Sequence, residues 1–164
     1  MLFRSMWKEG LDVALSSFSI HHIDVQITSE EMGSFRLTGV YGAPNVANRA
    51  SVWEFYKSLV GPPQAWLMIG DFNEILSPEE KQGGRGREVW QMLAFQDFLS
   101  SADLKDLGFE GDAFTWSNMQ YGQALIKARL DRAISTVDWV SLFPLYRVTH
   151  IASHCSDHHA VCVF

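Results

Sequence analysis

Two stretches decide the fold of this chain: Trp66-Leu67-Met68-Ile69-Gly70-Asp71-Phe72-Asn73, and Ser156-Asp157-His158-His159-Ala160-Val161-Cys162-Val163-Phe164. In each stretch a short apolar run predicts a β-strand, and acidic and polar residues lie at one end of that strand. Polar side chains held at strand ends by a rigid sheet commonly form catalytic sites. The mixture of Asp, Asn and His suits a reaction that needs a hard cation, an oriented water molecule and a proton carrier.

The bulk composition indicates one globular domain over residues 1–164, because hydrophobic residues make up 47% and charged residues 20% of the chain. No apolar run approaches the ~20 residues that span a bilayer, so we expect no membrane association. Residues 1–8 lack the pattern of a signal peptide, and Cys155 and Cys162 are too few for a disulfide framework. We therefore expect an intracellular protein whose two thiols are free.

The net charge of −6 and the pI of about 5.4 argue against a generic nucleic-acid binder, whose affinity depends on contacts between cations and phosphates. A nuclease needs only a local positive surface. The candidate is the segment Lys81-Gln82-Gly83-Gly84-Arg85-Gly86-Arg87, which carries three cations and no acid. Two interpretations of this segment stay open, namely a phosphate-facing loop and a solvated loop.

Apolar periodicity predicts a mixed α and β chain. The predicted strands are 11–19, 22–28, 35–41, 66–71, 113–117, 127–134, 147–152 and 160–164. Helices are predicted around 52–60 and 89–99, and a capping-box pattern at 135–138 predicts a third, short helix that ends near Pro144.

Five motifs in a fixed order resemble the endonuclease/exonuclease/phosphatase superfamily, and within it the endonuclease domain of plant non-LTR (LINE-type) retrotransposons. Besides the two opening stretches, they are Val40-Tyr41-Gly42-Ala43-Pro44, Phe114-Thr115-Trp116-Ser117-Asn118 and Arg129-Leu130-Asp131-Arg132. The resemblance covers the chain from about Trp7 onward. It implies an α+β fold, a four-layer α/β/β/α sandwich, and hydrolysis of phosphodiesters in DNA.

The resemblance also implies roles for individual residues. Asp71 would orient and deprotonate the attacking water, and Asn73 would fix the position of that water. His158 would donate to the phosphate, and Asp131 would orient its ring and raise its pKa. The remaining roles are a hydroxyl on the phosphate from Tyr41, substrate contacts from Trp116, Arg85 and Arg87, and binding of Mg²⁺, with Mn²⁺ as the alternative ion, by Asp157.

In the same family, an Asn on one strand and a metal-holding Glu on the next strand precede the region that this chain resembles. The chain begins inside the third family segment, at Trp7-Lys8-Glu9-Gly10, and Glu9 does not match the family context. We therefore expect an N-terminally truncated sandwich that lacks its first strands, with a weakened metal site and weak or absent activity.

Two alternative functions stay open. One is a non-catalytic remnant that binds nucleic acid or a partner, and the other is a phosphatase acting on small phosphate esters. Zinc binding is a further alternative because His150, His154, His158 and His159 lie close in sequence, although their spacing matches no standard zinc module. The resemblance implies DNA as the partner and the nucleus as the location, and the oligomeric state is left open.

Overall fold

A computed structural model of the chain describes residues 6–153 and 155–164, which form twelve strands and three α-helices. The strands are β1 (Asp12–Phe18), β2 (His22–Ser29), β3 (Gly33–Tyr41), β4 (Trp66–Asp71), β5 (Lys81–Gln82), β6 (Lys105–Asp106), β7 (Glu110–Gly111), β8 (Trp116–Ser117), β9 (Lys127–Ala128), β10 (Asp131–Ser135), β11 (Val148–Ile151) and β12 (Ala160–Val163). The helices are α1 (Val46–Ser58), α2 (Val89–Ser101) and α3 (Val137–Leu142). The expected mixed α and β chain is confirmed.

The central element is a six-stranded sheet in the order β1-β2-β3-β4-β10-β6. Neighbouring strands run antiparallel except β3 and β4, which are parallel and are connected through α1. A parallel pair needs such a crossover connection, whereas antiparallel strands can be joined by a short turn. The predicted hairpin between the second and third strands is present as β2 and β3.

Each face of this sheet supports a separate core. On one face α1 and α2 pack through an aromatic cluster in which the rings of Trp53, Phe95 and Phe98 stack. On the other face Leu67 and Ala133 pack with Trp139 of α3 and with Val148 of β11. The successive side chains of a strand point to opposite faces, so Met68 and Leu67 contribute to different cores.

Two three-stranded sheets accompany the central sheet, one in the order β12-β11-β7 and one in the order β5-β9-β8. The first packs on the second face through Val148, Val161 and Val163. The second packs with Ile75 and with Met92 of α2 in a third cluster. Together with the helices they make a fold with several sheets. The four-layer sandwich stays a prediction.

The predicted strand over residues 127–134 is wrong in one respect, because the structure divides it between two sheets. β9 belongs to the small sheet and β10 to the central sheet. Between them, the amide of Arg129 donates to the carbonyl of Glu80, and the carbonyl of Leu130 accepts from the amide of Phe72. These two bonds turn the backbone from one sheet to the other.

A buried ion quartet of Arg129, Arg132, Glu80 and Asp106 lies at this junction. Each arginine pairs with both acids at distances of 2.6 to 3.2 Å. Arg132 has no exposed surface. Because a buried charge is costly unless it is paired, the quartet joins the segment around β5 firmly to β10.

The third helix forms as predicted, but without the capping hydrogen bond that the capping-box pattern implied. Thr136 precedes α3 and makes no side-chain cap. Its hydroxyl donates to the carbonyl of Gln64 and accepts from the amide of Trp66. The tertiary contact with the start of β4 therefore replaces the cap.

Within the described residues, no helix is both long and apolar enough to cross a membrane. Both cysteines are free. His154, one of the histidines considered for zinc, lies outside the described residues.

Candidate active site

Strand register brings three of the predicted site residues together at one end of the central sheet. Asp71 at the end of β4 lies opposite Tyr41 of β3 and opposite Asp131 of β10. Residues that are directly opposite each other on neighbouring strands share a face of the sheet. All three side chains therefore lie on the face that carries Leu67 and Ala133, toward the sheet that contains β12.

Glycines allow the chain to turn sharply after β4. Gly70 has φ +142°, and a Cβ there would collide with the carbonyl of Val40. A Cβ at Gly42 would collide with the backbone of Phe72. The amide of Gly42 donates to the carbonyl of Asp71 at 2.6 Å. The close approach of these two backbones explains why both positions need glycine.

Asn73 holds the carboxylate of Asp71 at both of its oxygens. Its amide donates to Oδ1 and its side-chain Nδ2 donates to Oδ2, each at 2.8 Å. Nδ2 also donates to the carbonyl of Gly42 at 3.0 Å. Asn73 has φ 56°, a left-handed conformation that Asn adopts more readily than most residues. The geometry fixes the orientation of the Asp71 side chain.

His158 lies just before β12 and contacts Asp131 across the two sheets. The distance from Nδ1 to Asp131 Oδ2 is 2.8 Å. This hydrogen bond raises the pKa of His158 above its ordinary value of 6.5, although partial burial acts against the rise. The carboxylate thus orients the ring with Nε2 turned away from Asp131, and it favours the imidazolium form.

Asp71, Asp131 and His158 form one acidic cluster, since one ligand atom from each lies within 4.8 Å of the others. Burial raises the pKa of Asp71 from 3.8 to about 7, and the charge of Asp131 acts in the same direction. The hydrogen bonds from Asn73 and the proximity of His158 oppose this rise. Asp131 shares its charge with His158, so Asp71 is the carboxylate whose charge calls for a cation.

The remaining members of the prediction occupy the rim of this cluster. Trp116 bridges to His158 through its backbone, and its Nε1 donates to Asp157 Oδ2 at 2.9 Å. Oδ1 of Asp157 accepts no hydrogen bond from the described residues. The hydroxyl of Tyr41 likewise has no partner among them, while the Tyr41 carbonyl contacts Nδ1 of His21 at 2.8 Å.

The two predicted substrate-binding arginines differ in their environment. The side chain of Arg85 is 88% exposed and pairs with Glu88 at 2.6 Å. Arg87 is 22% exposed, and its Nη2 lies 3.4 Å from the carbonyl of Asn73. Only Arg87 therefore contacts the turn that carries Asp71.

Sequence reasoning missed two buried residues that support the cluster. Thr115 has no exposed surface, and its hydroxyl oxygen accepts from the amides of Leu130 and Asp131 at 3.0 and 2.9 Å. Glu74, also fully buried, pairs with Arg49 and Arg87. A signal for Thr115 was present, because it is a polar residue between the apolar residues of a quoted motif. The pattern around Glu74 gave none.

The donor set fits a hard divalent cation. Carboxylate oxygens are the ligands that Mg²⁺ prefers, and Asp71 brings a carboxylate to a partly buried position. Asp157, the predicted metal ligand, is not a member of the group of ligand atoms that lie within 4.8 Å of one another, and one of its oxygens is not committed to Trp116. No glutamate belongs to the acidic cluster of the described residues, and Glu9 is exposed in a turn before β1.

Comparisons with known proteins address the fold. No protein-family model and no curated protein matches the sequence. Among solved structures, the chain is similar to a truncated form of TDP2 from Caenorhabditis elegans, with a TM-score of 0.50 and 18% sequence identity. The similarity covers 93% of this chain and 65% of the TDP2 chain. At this identity the comparison establishes a shared fold, so the chain has a TDP2-like α+β fold and spans less than two thirds of that relative.

Proposed function

We propose that this protein hydrolyses phosphodiesters with the help of a divalent cation. The observation that carries the proposal is the cluster of Asp71, Asp131 and His158 at the end of β4, whose ligand atoms lie within 4.8 Å of one another. The TDP2-like fold adds support at the level of the fold. The five sequence motifs that resemble the endonuclease/exonuclease/phosphatase superfamily agree with the proposed reaction.

Asp71 is the group that orients and deprotonates the attacking water. Its pKa of about 7 is close to neutrality, where a general base is effective. Asn73 keeps both carboxylate oxygens in place with bonds of 2.8 Å, so the base needs no rearrangement before it acts. The pair lies at the C-terminal end of β4, at one end of the central sheet.

His158 stabilises the charge that develops on the phosphate. The bond to Asp131 leaves Nε2 to donate to a phosphate oxygen and favours the protonated ring. A donor that is already oriented toward developing charge stabilises the transition state without a reorganisation cost. The hydroxyl of Tyr41, on the same face of the sheet, is placed to donate to the same phosphate.

The cation that fits the donor set is Mg²⁺, with Mn²⁺ as an alternative. Asp157 is the carboxylate that would hold it, with the cation near the ionised carboxylate of Asp71. When bound, the ion neutralises phosphate charge and assists the departure of the leaving oxygen. The ionised form of Asp71 is favoured by a nearby cation, which offsets the effects of burial and of Asp131.

The proposed substrate is DNA, nicked in the manner of the LINE-type endonucleases that the motifs resemble. Trp116 packs against the core cluster that contains Ala128 and Leu130, and its Nε1 donates to Asp157. The partly exposed side of its ring is the part that would contact a nucleic-acid strand. Arg87 adds a cation beside Asn73. A nuclear location would follow from such a role.

The experiment that tests the proposal is plasmid nicking by the purified protein with Mg²⁺, with EDTA, and with the variants Asp71→Ala and His158→Ala. Asp12→Ala is the matched control, because Asp12 is exposed on β1 at the opposite end of the central sheet. We expect metal-dependent nicking by the wild type and by Asp12→Ala, and a loss of about 10²-fold or more in the two site variants. Folded protein that nicks nothing, or nicks equally well in all variants, would contradict the proposal.

A further inference from the structure

The glycine-rich segment 81–87 borders a cavity that is lined by two cationic side chains. Residues around β5 surround a cavity of about 170 Å³. Two cations, Lys81 and Arg87, line it together with three glycines and three apolar side chains. No carboxylate lines this cavity, so its charge is positive and suited to an anion.

Arg87 connects this cavity to the proposed catalytic turn. It lines the cavity, and its Nη2 lies 3.4 Å from the carbonyl of Asn73, whose side chain holds Asp71. A phosphate bound by Arg87 would therefore lie close to the phosphate that is cleaved. Arg85 in the same loop is 88% exposed and points its charge at Glu88.

The buried carboxylate of Glu74 fixes the position of Arg87. Nε of Arg87 lies 3.1 Å from Glu74 Oε1, and Oε2 pairs with Nη1 of Arg49. The amide of Ile75 also donates to Oε1. Glu74 has no exposed surface. Hydrogen bonds from Arg49 and Ile75 thus hold the carboxylate, and Arg87 joins it through an ion pair in which Nε makes no hydrogen bond.

Arg49 and Arg87 differ in the donors that they have left for a ligand. The charge of Asp71 acts on Arg49 in addition to that of Glu74. Nε and Nη2 of Arg49 donate to the carbonyls of Ala43 and Pro44. Nη1 of Arg87 has no hydrogen-bond partner among the described residues. Arg87 is therefore the arginine of this group that has a free donor for an anion.

Lys81 shapes the other wall of the cavity. Its ammonium group donates to the carbonyls of Gly83 and Arg85 and so closes the loop on itself. Partial burial and the charge of Arg87 both lower the pKa of Lys81. Two cations that are held near each other without an acid between them favour an anion at the same place.

We propose that Arg87 and Lys81 form a subsite for a second phosphate of the nucleic-acid backbone, and that Glu74 is the positioning residue for Arg87. The identity of the ligand as nucleic acid rests on the proposed function. The subsite would give the enzyme affinity for the strand beyond the cleaved bond. An arginine held by a buried carboxylate loses little conformational entropy when it meets a phosphate.

The test compares Arg87→Ala with its neighbour Arg85→Ala, which removes the same charge from the same loop. Binding of a fluorescent DNA duplex is measured by anisotropy in catalytically inactive protein over a range of salt concentrations. We expect Arg87→Ala to weaken binding about tenfold and to reduce the slope of log K against log salt by about 0.9, the change for one lost phosphate contact. Arg85→Ala should leave the slope within error of the wild type.

Kinetics separate the subsite from a structural role. Arg87→Ala should raise KM for an oligonucleotide with little change in kcat, and it should raise KM by a smaller factor for bis(p-nitrophenyl) phosphate, a diester with a single phosphate. Glu74→Gln, which keeps the shape of the side chain, should reproduce part of the KM effect. Arg87→Lys should restore part of the salt slope.

Three results would overturn the subsite: equal effects of Arg87→Ala and Arg85→Ala, an equal loss with the single-phosphate diester, or an Arg87-dependent preference for inorganic phosphate over DNA. Duplex binding that depends on Arg87 in a protein that cleaves no substrate would instead retain the subsite and refute the proposed hydrolysis. Cleavage that does not depend on Arg87 would retain the proposed hydrolysis and refute the subsite.

Discussion

Nδ1 of His158 lies 2.8 Å from Oδ2 of Asp131, although 27 residues separate them in sequence. Asp131 begins β10 of the central sheet, and His158 precedes β12 of a second sheet. The pair therefore depends on the packing of one sheet against the other. The pKa of His158 therefore depends on whether the two sheets are packed together.

Asp131→Asn should lower the pKa of His158. The Asp131 carboxylate favours the imidazolium, and an amide does not. If protonated His158 assists the reaction, activity falls as the pH rises through the folded-state pKa, and the variant should lose activity at a lower pH than the wild type. The same change removes a charge that raises the pKa of Asp71, so the acidic limb should also move to lower pH. NMR titration of His158 and a pH–rate profile measure both shifts, and unchanged titration would refute the coupling.

Thermal stabilisation by Mg²⁺ should grow as the pH rises. The pKa of Asp71 is about 7 in the folded protein, against an ordinary value of 3.8 that applies to the unfolded chain. The free energy of unfolding therefore falls as the pH rises from about 4 to 7, because the unfolded chain loses this proton first. A cation offsets that cost. At ten times Kd we expect about 1.4 kcal/mol, or about 3–6 °C in Tm, near pH 8, and much less near pH 5.5. Asp71→Ala should abolish the pH dependence of the Mg²⁺ effect, and an equal Tm shift at both pH values would contradict the prediction.

Thr115→Val should destabilise the protein by about 2–4 kcal/mol, because the buried amides of Leu130 and Asp131 would both lose their acceptor. Val keeps the volume of the side chain, so the loss measures the hydrogen bonds and not a cavity. Urea denaturation gives the change in the free energy of unfolding. Thr115→Ser keeps the hydroxyl and should therefore retain most of the wild-type free energy of unfolding. A Val variant as stable as the wild type would show that these bonds contribute little.

Asn73→Gly should separate the backbone role of Asn73 from its side-chain role. Gly accepts φ 56° without strain, so stability should change by no more than about 1 kcal/mol. The side-chain bond to Asp71 is lost, which frees the carboxylate and raises its pKa further. Activity should fall about 10²-fold near neutral pH and recover in part at higher pH. Asn73→Ala, which has a Cβ at the same positive φ, should be less stable than Asn73→Gly, and the reverse order would contradict this account.

The sequence predicted most of the central sheet because its strands alternate or run apolar between clear turns. The strand 66–71 was predicted with the bounds that the structure has. Helix α1 begins earlier than the predicted 52–60, since Asn45 caps it by accepting from the amide of Ala47. Apolar periodicity finds the buried part of a helix and not its polar first turn.

Other features could not be read from local patterns. Arg129-Leu130-Asp131-Arg132 contains two arginines that alone suggest a surface, yet both are buried with Glu80 and Asp106. The partners lie 23 to 52 residues away, and only the folded chain brings them together. The same holds for Glu74, whose partner Arg49 is 25 residues upstream.

The ion quartet and the proposed phosphate subsite should respond in opposite ways to ionic strength. Bulk ions have little access to Arg132, because it has no exposed surface. The ion quartet should therefore keep β5 and β10 together at high salt concentration. A phosphate held at the surface is instead displaced as counterions return to the nucleic acid. Salt can therefore detach the ligand from an intact scaffold, which makes a simple salt step a reversible switch for studying binding in the native state.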